Sequence, residues 1–439
     1  MTPRTSTTLA VVTIVLVSVP ARAQVSQRPD IRVSMYVTSD RRTPEIGVSS
    51  SSYEFATAVT LRTRDADAGG LDAGIDLRHT RYTASQRPER VSIYDGYVGA
   101  RLGSRGQYRM RVGHMWLPDL GTAGALAGAI VEYRSAASDA DHRFRVGGFM
   151  GAEPLGYEAG YAPAVRKFGG YAAFERGFLQ RHVVGFSTIR NGAVTERSMV
   201  SVTNYLPVKQ TVFVYQALEY DIKGPAAGTA TGGLSYFLVN GRASAGTRVQ
   251  LQGTYNRGRS INARQLTDDL INGRALRARD IDGLRYETAG GRVSVRIVRQ
   301  VEVYVGYARD RNNREDVPTA RTTIGGYAGN LFGTGFDVSG SDALIDRPTG
   351  PYHSRYLSVG RRIGRSVYVS GDYSTSLAVV RFVRSDGVTI ETRPWTRRVS
   401  GNTSVILSRQ FSLVGVADYT TDEGLQDLRV MTGLTYRYR

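Results

Sequence analysis

The sequence predicts an all-β chain folded into one large antiparallel β-barrel that crosses a membrane. Three observations carry this expectation. Apolar residues recur with a period of two through most of the chain. The connections between these runs alternate between short and long, as in transmembrane barrels. An apolar leader marks the chain for export, and no later stretch could cross a bilayer as a helix.

The leader comes first. Residues 1–8 are polar and carry Arg4. Leu9 to Val19 is an apolar run, and Ala21-Arg22-Ala23 fits the small-x-small cleavage pattern, so cleavage is expected before Gln24. A helical anchor needs about 20 apolar residues, more than this run supplies. The longest later candidate, Gly121 to Val131, is 11 residues of mostly Gly and Ala.

Composition narrows the class. The chain has 439 residues, 41% of them hydrophobic. Its mean hydropathy of −0.27 is too polar for a helical membrane bundle. It has too many aromatic and β-branched residues for a disordered chain. It has no cysteine, which excludes disulfide scaffolds, cysteine-ligated metals and thiol catalysis. Fifty Gly, 26 Tyr and only 14 Pro suit many strands joined by tight turns. The net charge is +18, and Lys167, Lys209 and Lys223 are the chain's lysines; every other basic residue is arginine. A GC-rich coding bias would give the same excess. These charges are spread through alternating strands rather than gathered on one face, so no nucleic-acid partner is expected.

The strands follow in order. Tyr108, Met110 and Val112 alternate with Gln107, Arg109 and Arg111. Phe144 and Val146 alternate with Arg143 and Arg145. Val249, Leu251, Gly253 and Tyr255 share one face; Arg248, Gln250, Gln252, Thr254 and Asn256 share the other. Val293, Val295 and Ile297 alternate with Arg292, Ser294 and Arg296, and Val367, Val369 and Tyr373 continue the pattern. Counting such runs gives 16 to 22 strands, with 22 the best count. They fall at roughly 31–42, 47–64, 70–84, 91–103, 106–117, 128–136, 141–152, 165–177, 181–191, 196–206, 210–221, 231–244, 246–259, 283–298, 300–312, 319–330, 334–340, 351–363, 366–385, 388–408, 410–422 and 426–438. Short connections are expected at Gly103–Gly106, Pro207–Lys209, Ala243–Gly246, Arg299–Gln300, Ile363–Arg365 and Ser408–Arg409. Long ones are expected at Pro118–Gly128, Ala152–Val165, Asp221–Thr231, Ser260–Gly283 and Gly340–Gly350. The alternation of 284–298 changes phase at Gly290-Gly291, which predicts a bulge. Arg384-Ser385-Asp386-Gly387 predicts a hairpin turn between two long strands that project beyond the membrane. No linker interrupts 24–439, which reads as a single barrel domain.

The last strand places Leu428, Val430, Thr432, Leu434, Tyr436 and Tyr438 on one face at the end of the chain. This resembles the C-terminal signal of Gram-negative outer-membrane barrels, although here Arg439 follows the final aromatic. Tyr94 to Arg134 is similar to porins: a strand, the turn Gly103-Ser104-Arg105-Gly106, an Arg-bearing strand, then a Gly/Ala-rich segment. The resemblance implies an outer-membrane location and a loop that folds inward to narrow a pore. It also implies contact with outer-membrane lipid and with the barrel-insertion machinery, and a possible homo-oligomer.

A barrel of this width holds either a channel or a plug. Strands begin at Ile31, soon after the expected cleavage site, so no separate plug domain is expected. The expected function is a diffusion channel for small hydrophilic solutes. Arg109, Arg111, Arg143, Arg145, Arg248, Arg292, Arg296 and Arg398 are the pore-lining candidates. Fixed positive charge there would favour anions. Alternatively, these arginines pair with Asp and Glu across the lumen or bind lipid phosphates at the rim. Pro118–Gly128 and Ser260–Gly283 are candidate constrictions; the second could form a short helix in the lumen or remain a solvated outer loop. Tyr82, Tyr94, Tyr133, Tyr161, Tyr205, Tyr307, Tyr419 and Tyr438 suit interfacial girdles. The five histidines lack metal-ligand spacing, Asp65-x-Asp67-x-Gly69 reads as a turn, and His114 and His182 have no convincing serine partner. No enzyme activity, metal or cofactor is therefore expected. A non-conducting anchor, adhesin or scaffold is the main alternative, and a soluble secreted all-β protein a further one.

Overall fold

The structure is a computed structural model. It describes residues 30–63, 71–83, 88–104, 106–117, 120–121, 124–135, 142–155, 160–177, 180–208, 211–224, 232–383 and 388–438. The leader, the 65–69 turn and residues 384–387 lie outside the described residues.

Twenty-two strands close into one antiparallel sheet. The first twelve are β1 (Asp30–Pro44), β2 (Ser50–Arg62), β3 (Leu71–Thr83), β4 (Arg90–Leu102), β5 (Tyr108–Trp116), β6 (Ala125–Arg134), β7 (His142–Pro154), β8 (Tyr161–Arg176), β9 (Gln180–Asn191), β10 (Val194–Val208), β11 (Val212–Lys223) and β12 (Gly233–Ala245). Then come β13 (Val249–Ser260), the helices α1 (Ala263–Ile271) and α2 (Ala278–Asp282), β14 (Leu284–Val298), β15 (Val301–Asn312), β16 (Thr319–Ala328), β17 (Phe336–Asp346), β18 (Tyr352–Ile363) and β19 (Val367–Ala378). The hairpin β20 (Val380–Val383) and β21 (Thr389–Thr392) forms a separate two-stranded sheet. The wall finishes with β22 (Trp395–Ile406), β23 (Phe411–Asp422) and β24 (Leu425–Tyr438). β24 pairs with β1 from Ile31↔Tyr438 to Pro44↔Leu425, and this seam removes both free edges.

The alternation in the sequence becomes the two faces of the wall. Met35, Val112, Val146, Val184, Leu251, Val305 and Val399 are exposed on the outside. Arg32, Arg111, Arg145, Glu219, Thr254 and Asp418 take the opposite parity and face the lumen. The six residues of the terminal signal, Leu428 to Tyr438, all fall on the outer face. A closed sheet leaves no unpaired backbone, so a continuous apolar exterior suits lipid. A soluble all-β protein would bury such a face. The chain is thus a barrel of the outer-membrane type.

Connection lengths sort in part, because those after β2, β6 and β16, on the rim of otherwise short turns, are longer than that after β7. The turns after β4, β8, β10, β12, β14, β18 and β22 share one rim and are short. The connections after β5, β7, β11 and β13 share the other, and that of β13–β14 is the longest. By the usual rule the short-turn rim is periplasmic and the other is extracellular. Two tight turns, at 192–193 and 423–424, also lie on the extracellular rim.

Four expectations need correction. No register shift occurs at Gly290-Gly291; β14 is irregular at Arg296/Val298 instead. The phase change has another cause, because the outward row of β14 turns from Val293 and Ala289 to Glu287 and Arg285 as the strand leaves the apolar band. Residues 341–346 are strand rather than loop, since outward Asp342 is held by Arg355 at 3.1 Å and His353 at 2.7 Å. The long strands expected around residue 385 break at Val379 and at Pro394, which has no N–H to continue the ladder. Of the interfacial tyrosines, Tyr82 and Tyr205 face inward, whereas Tyr133, Tyr307, Tyr419 and Tyr438 face outward.

Candidate functional site: a narrowed lumen

Two extracellular connections fold inward, both onto the same side of the barrel. The first follows β5. Met115, Leu117 and Leu120 join Leu126, Phe149, Tyr171, Ala173 and Val183 in a buried apolar cluster. The last five lie on lumen-facing positions of β6 to β9. The lumen wall is cut away to receive the connection: a Cβ at Gly185 would collide with Leu120, and one at Gly121 would collide with the Glu219 carboxylate. Thus Leu120 and Gly121 reach across from β5 to β9 and β11. The expected inward loop forms, although β6 starts at Ala125, so the connection is shorter than Pro118–Gly128.

The second connection holds α1. Asn262 caps it by accepting from the Gln265 backbone N–H at 3.1 Å. Leu266 and Thr267 are buried as α1 packs against β10. Arg264 donates to Glu196 at 2.7 Å and to Glu153 at 2.9 Å. Asn191 donates to Asp268 at 2.8 Å. Burial works against the charge on Arg264, but the hydrogen bonds to Glu196 and Glu153 outweigh it and raise its pKa. Of the two readings of Ser260–Gly283, the helical one holds, with α1 passing β12 and β11 to pack on β10.

Below these segments runs a lattice of ion pairs. Asp72 accepts from Arg109 at 2.5 Å and Arg111 at 2.6 Å. Buried Glu132 accepts from Arg145 at 2.9 Å, from Arg134 and from the Tyr171 hydroxyl. Arg145 also meets Glu175 at 2.8 Å. Arg197 joins Asp221 at 2.5 Å and Glu219 at 3.5 Å. A cavity of about 210 Å³ gathers Arg109, Arg111, Arg145, Glu132, Tyr171 and Leu120.

The eight arginines singled out in the sequence therefore separate. Arg109, Arg111 and Arg145 come together and are paired. Arg398 is bound to Asp418 at 2.8 Å. Arg292 lies 3.5 Å over the Tyr304 ring and 3.9 Å from Glu302. Arg143 and Arg296 are exposed near the short-turn rim, and Arg248 sits in a turn there rather than on the wall. Pairing along the inner wall, with carboxylates one or two strands away rather than across the lumen, thus accounts for five of them.

Sequence reasoning passed over Arg242 and Arg321. Both face the lumen and, among the described residues, neither has an ion pair. With Arg292, Tyr304 and Gln252 they line a recess of about 500 Å³ on the β12–β16 wall. Their parity was readable, since Arg242 alternates with Val239 and Gly241, and Arg321 with Thr322 and Ile324. Which parity lacks carboxylate partners was not. Gln252, Thr254 and Arg321 are exposed on this wall, whereas the β6–β11 wall is covered.

Comparison with models of known protein families and with curated protein sequences finds no match. Among solved structures, the chain is similar to OccK2 (OpdF) of Pseudomonas aeruginosa in complex with glucuronate, with TM-score 0.43 and 10% identity over 94% of this chain and 99% of that one. It is similar to the P pilus usher (PapC) translocation pore, with TM-score 0.48 and 11% identity over 93% and 100%. It is also similar to OccAB4 of Acinetobacter baumannii, with TM-score 0.39 and 10% identity over 94% and 99%.

Proposed function

We propose that the chain is an outer-membrane diffusion channel for small hydrophilic solutes, with a preference for anions. The observation that carries this is the one-sided filling of the lumen. The inward connection and α1 cover the β6–β11 wall and leave the polar β12–β16 wall exposed. A 22-stranded barrel is too wide for its own side chains to close, so an exposed polar wall implies a water-filled path. Arg242 and Arg321 give that path positive charge, which lowers the energy of a passing anion. Guanidinium also recognises carboxylate and phosphate with two parallel bonds.

Planar bilayer recording under a salt gradient tests this reading. Stepwise conductance with an anion-favouring reversal potential is the expected result. Channels without anion preference would keep the pore and discard the role of the arginines. A folded, inserted protein that passes no current would point instead to a scaffold or anchor.

A further inference from the structure

The recess on the β12–β16 wall is built from two inward rows. In the row nearer the short-turn rim, Arg242, Gln252, Arg292, Gly306 and Thr323 stand side by side on successive strands. In the next row the register sets Asn240, Thr254, Gly290, Ala308 and Arg321 side by side. Gly290, Gly306 and Ala308 adjoin, so this part of the wall carries a single methyl group and forms the floor of a hollow of about 500 Å³. A Cβ at Gly306 would meet only ordinary contacts, 3.5 Å from the Gly291 carbonyl and 3.9 Å from Arg292. The glycine there leaves space rather than relieving a clash.

Three arginines line this hollow and no carboxylate does. The cavities beside Glu132, beside Glu219 and Asp221, and beside Asp269 and Asp280 all hold acidic side chains. Arg292 is committed to the wall, with its guanidinium 3.5 Å over the Tyr304 ring and 3.9 Å from Glu302. Arg242 and Arg321 remain, at opposite ends of the floor. They lie on β12 and β16, about 19 Å apart along the wall at the usual strand spacing. Among the described residues neither has an ion pair. Asp310, one inward row nearer the extracellular rim, makes none with Arg321.

We propose that the hollow binds a small organic dianion of the dicarboxylate class, with its two acid groups at opposite ends. Two separated guanidiniums match two separated charges, whereas a monoanion satisfies only one of them. Each guanidinium can hold a carboxylate with two parallel bonds. The spacer between the acid groups lies over the bare floor, and Gln252, Thr254 and Thr323 at its edges offer hydrogen bonds. As the solute class of a channel, this rests on the diffusion-channel reading above; as a binding site, it requires only that water reach the inner wall.

The test is equilibrium dialysis of radiolabelled acids against the full barrel folded in detergent, at low salt to limit screening. Succinate, adipate and suberate are compared with butyrate, hexanoate and octanoate. The tightest dicarboxylate should bind about tenfold more tightly than the monocarboxylate of equal length, or better. Arg242→Gln and Arg321→Gln should each bring it down to the monocarboxylate level. Gly306→Val fills the floor without changing a charge. It should weaken dicarboxylate binding while the reversal potential in chloride stays as in wild type. If Gly306→Val does not fold, the two arginine variants decide. Equal binding of dicarboxylate and monocarboxylate, or wild-type binding by the variants, would overturn the proposal. Bilayer recording separates the two readings. Dicarboxylate preference in a protein that passes no current supports the site and overturns the channel. Anion-selective current without that preference keeps the channel and overturns the site.

Discussion

Arg264 in α1 donates to Glu196 in β10 across 2.7 Å, although the two residues are 68 positions apart in the chain. This bond, with that to Glu153, holds the longest extracellular connection over the β7–β10 wall. Arg264→Ala should free α1 and leave buried Glu196 without its cation. Hydrogen bonds to charged groups contribute roughly 1.5–3 kcal/mol, and the partial exposure of Arg264 places the loss near the lower end. Faster hydrogen exchange in 263–271 and noisier single-channel current are the expected outcomes. Exchange identical to wild type would show that the burial of Leu266 and Thr267 and the Asn191–Asp268 bond hold the helix without Arg264.

Gly185 is the socket for Leu120. Gly185→Val should push Leu120 out of the apolar cluster while leaving the strand intact, because valine suits a strand. The constriction should widen and conductance rise. Leu120→Ala tests the same contact from the other side and should cost about 2–5 kcal/mol in urea unfolding from lipid vesicles. Unchanged conductance in both variants would mean that this connection does not limit the path.

Much of the barrel was legible in the sequence because a wall with lipid outside and water inside enforces a period of two. Leu428 to Tyr438 shows this most simply, since every residue placed on one face lies on the outer face. The errors fall where that rule stops. β14 was read as bulged because its outward row turns charged above the membrane, where outward and apolar no longer coincide. Residues 341–346 looked like a loop because Asp342 faces outward with partners from the next strand. The partnering of Arg109 and Arg111 by Asp72 was also hidden. Those residues are 37 and 39 positions apart, and the contact depends on β3, β4 and β5 lying side by side.

The β20–β21 hairpin gives a pH-dependent expectation. Glu391 has a lowered pKa because Arg381 and then Arg393 donate to its carboxylate, at 2.9 Å each. A lowered native pKa means that the contribution to stability is present above the ordinary glutamate range. It is lost as the pH falls through the native value. The hairpin should therefore become more open to proteolysis under acidic conditions, and Glu391→Gln should be equally open at neutral pH. Cleavage that does not change with pH in the wild type would contradict this.

The last prediction concerns which arginines set ion preference. Arg109, Arg111 and Arg145 share Asp72, Glu132 and Glu175, so much of their field is cancelled locally. Arg242 and Arg321 have no such partner among the described residues and face the exposed wall. Reversing both, as Arg242→Glu/Arg321→Glu, should move the reversal potential toward cation preference, most clearly at low salt where screening is weak. Arg109→Gln should instead lower stability, because buried Asp72 loses one of its two cations, and should move the reversal potential little. The opposite assignment, a large shift from Arg109→Gln and none from the double reversal, would place the solute path on the packed wall and refute the one-sided lumen.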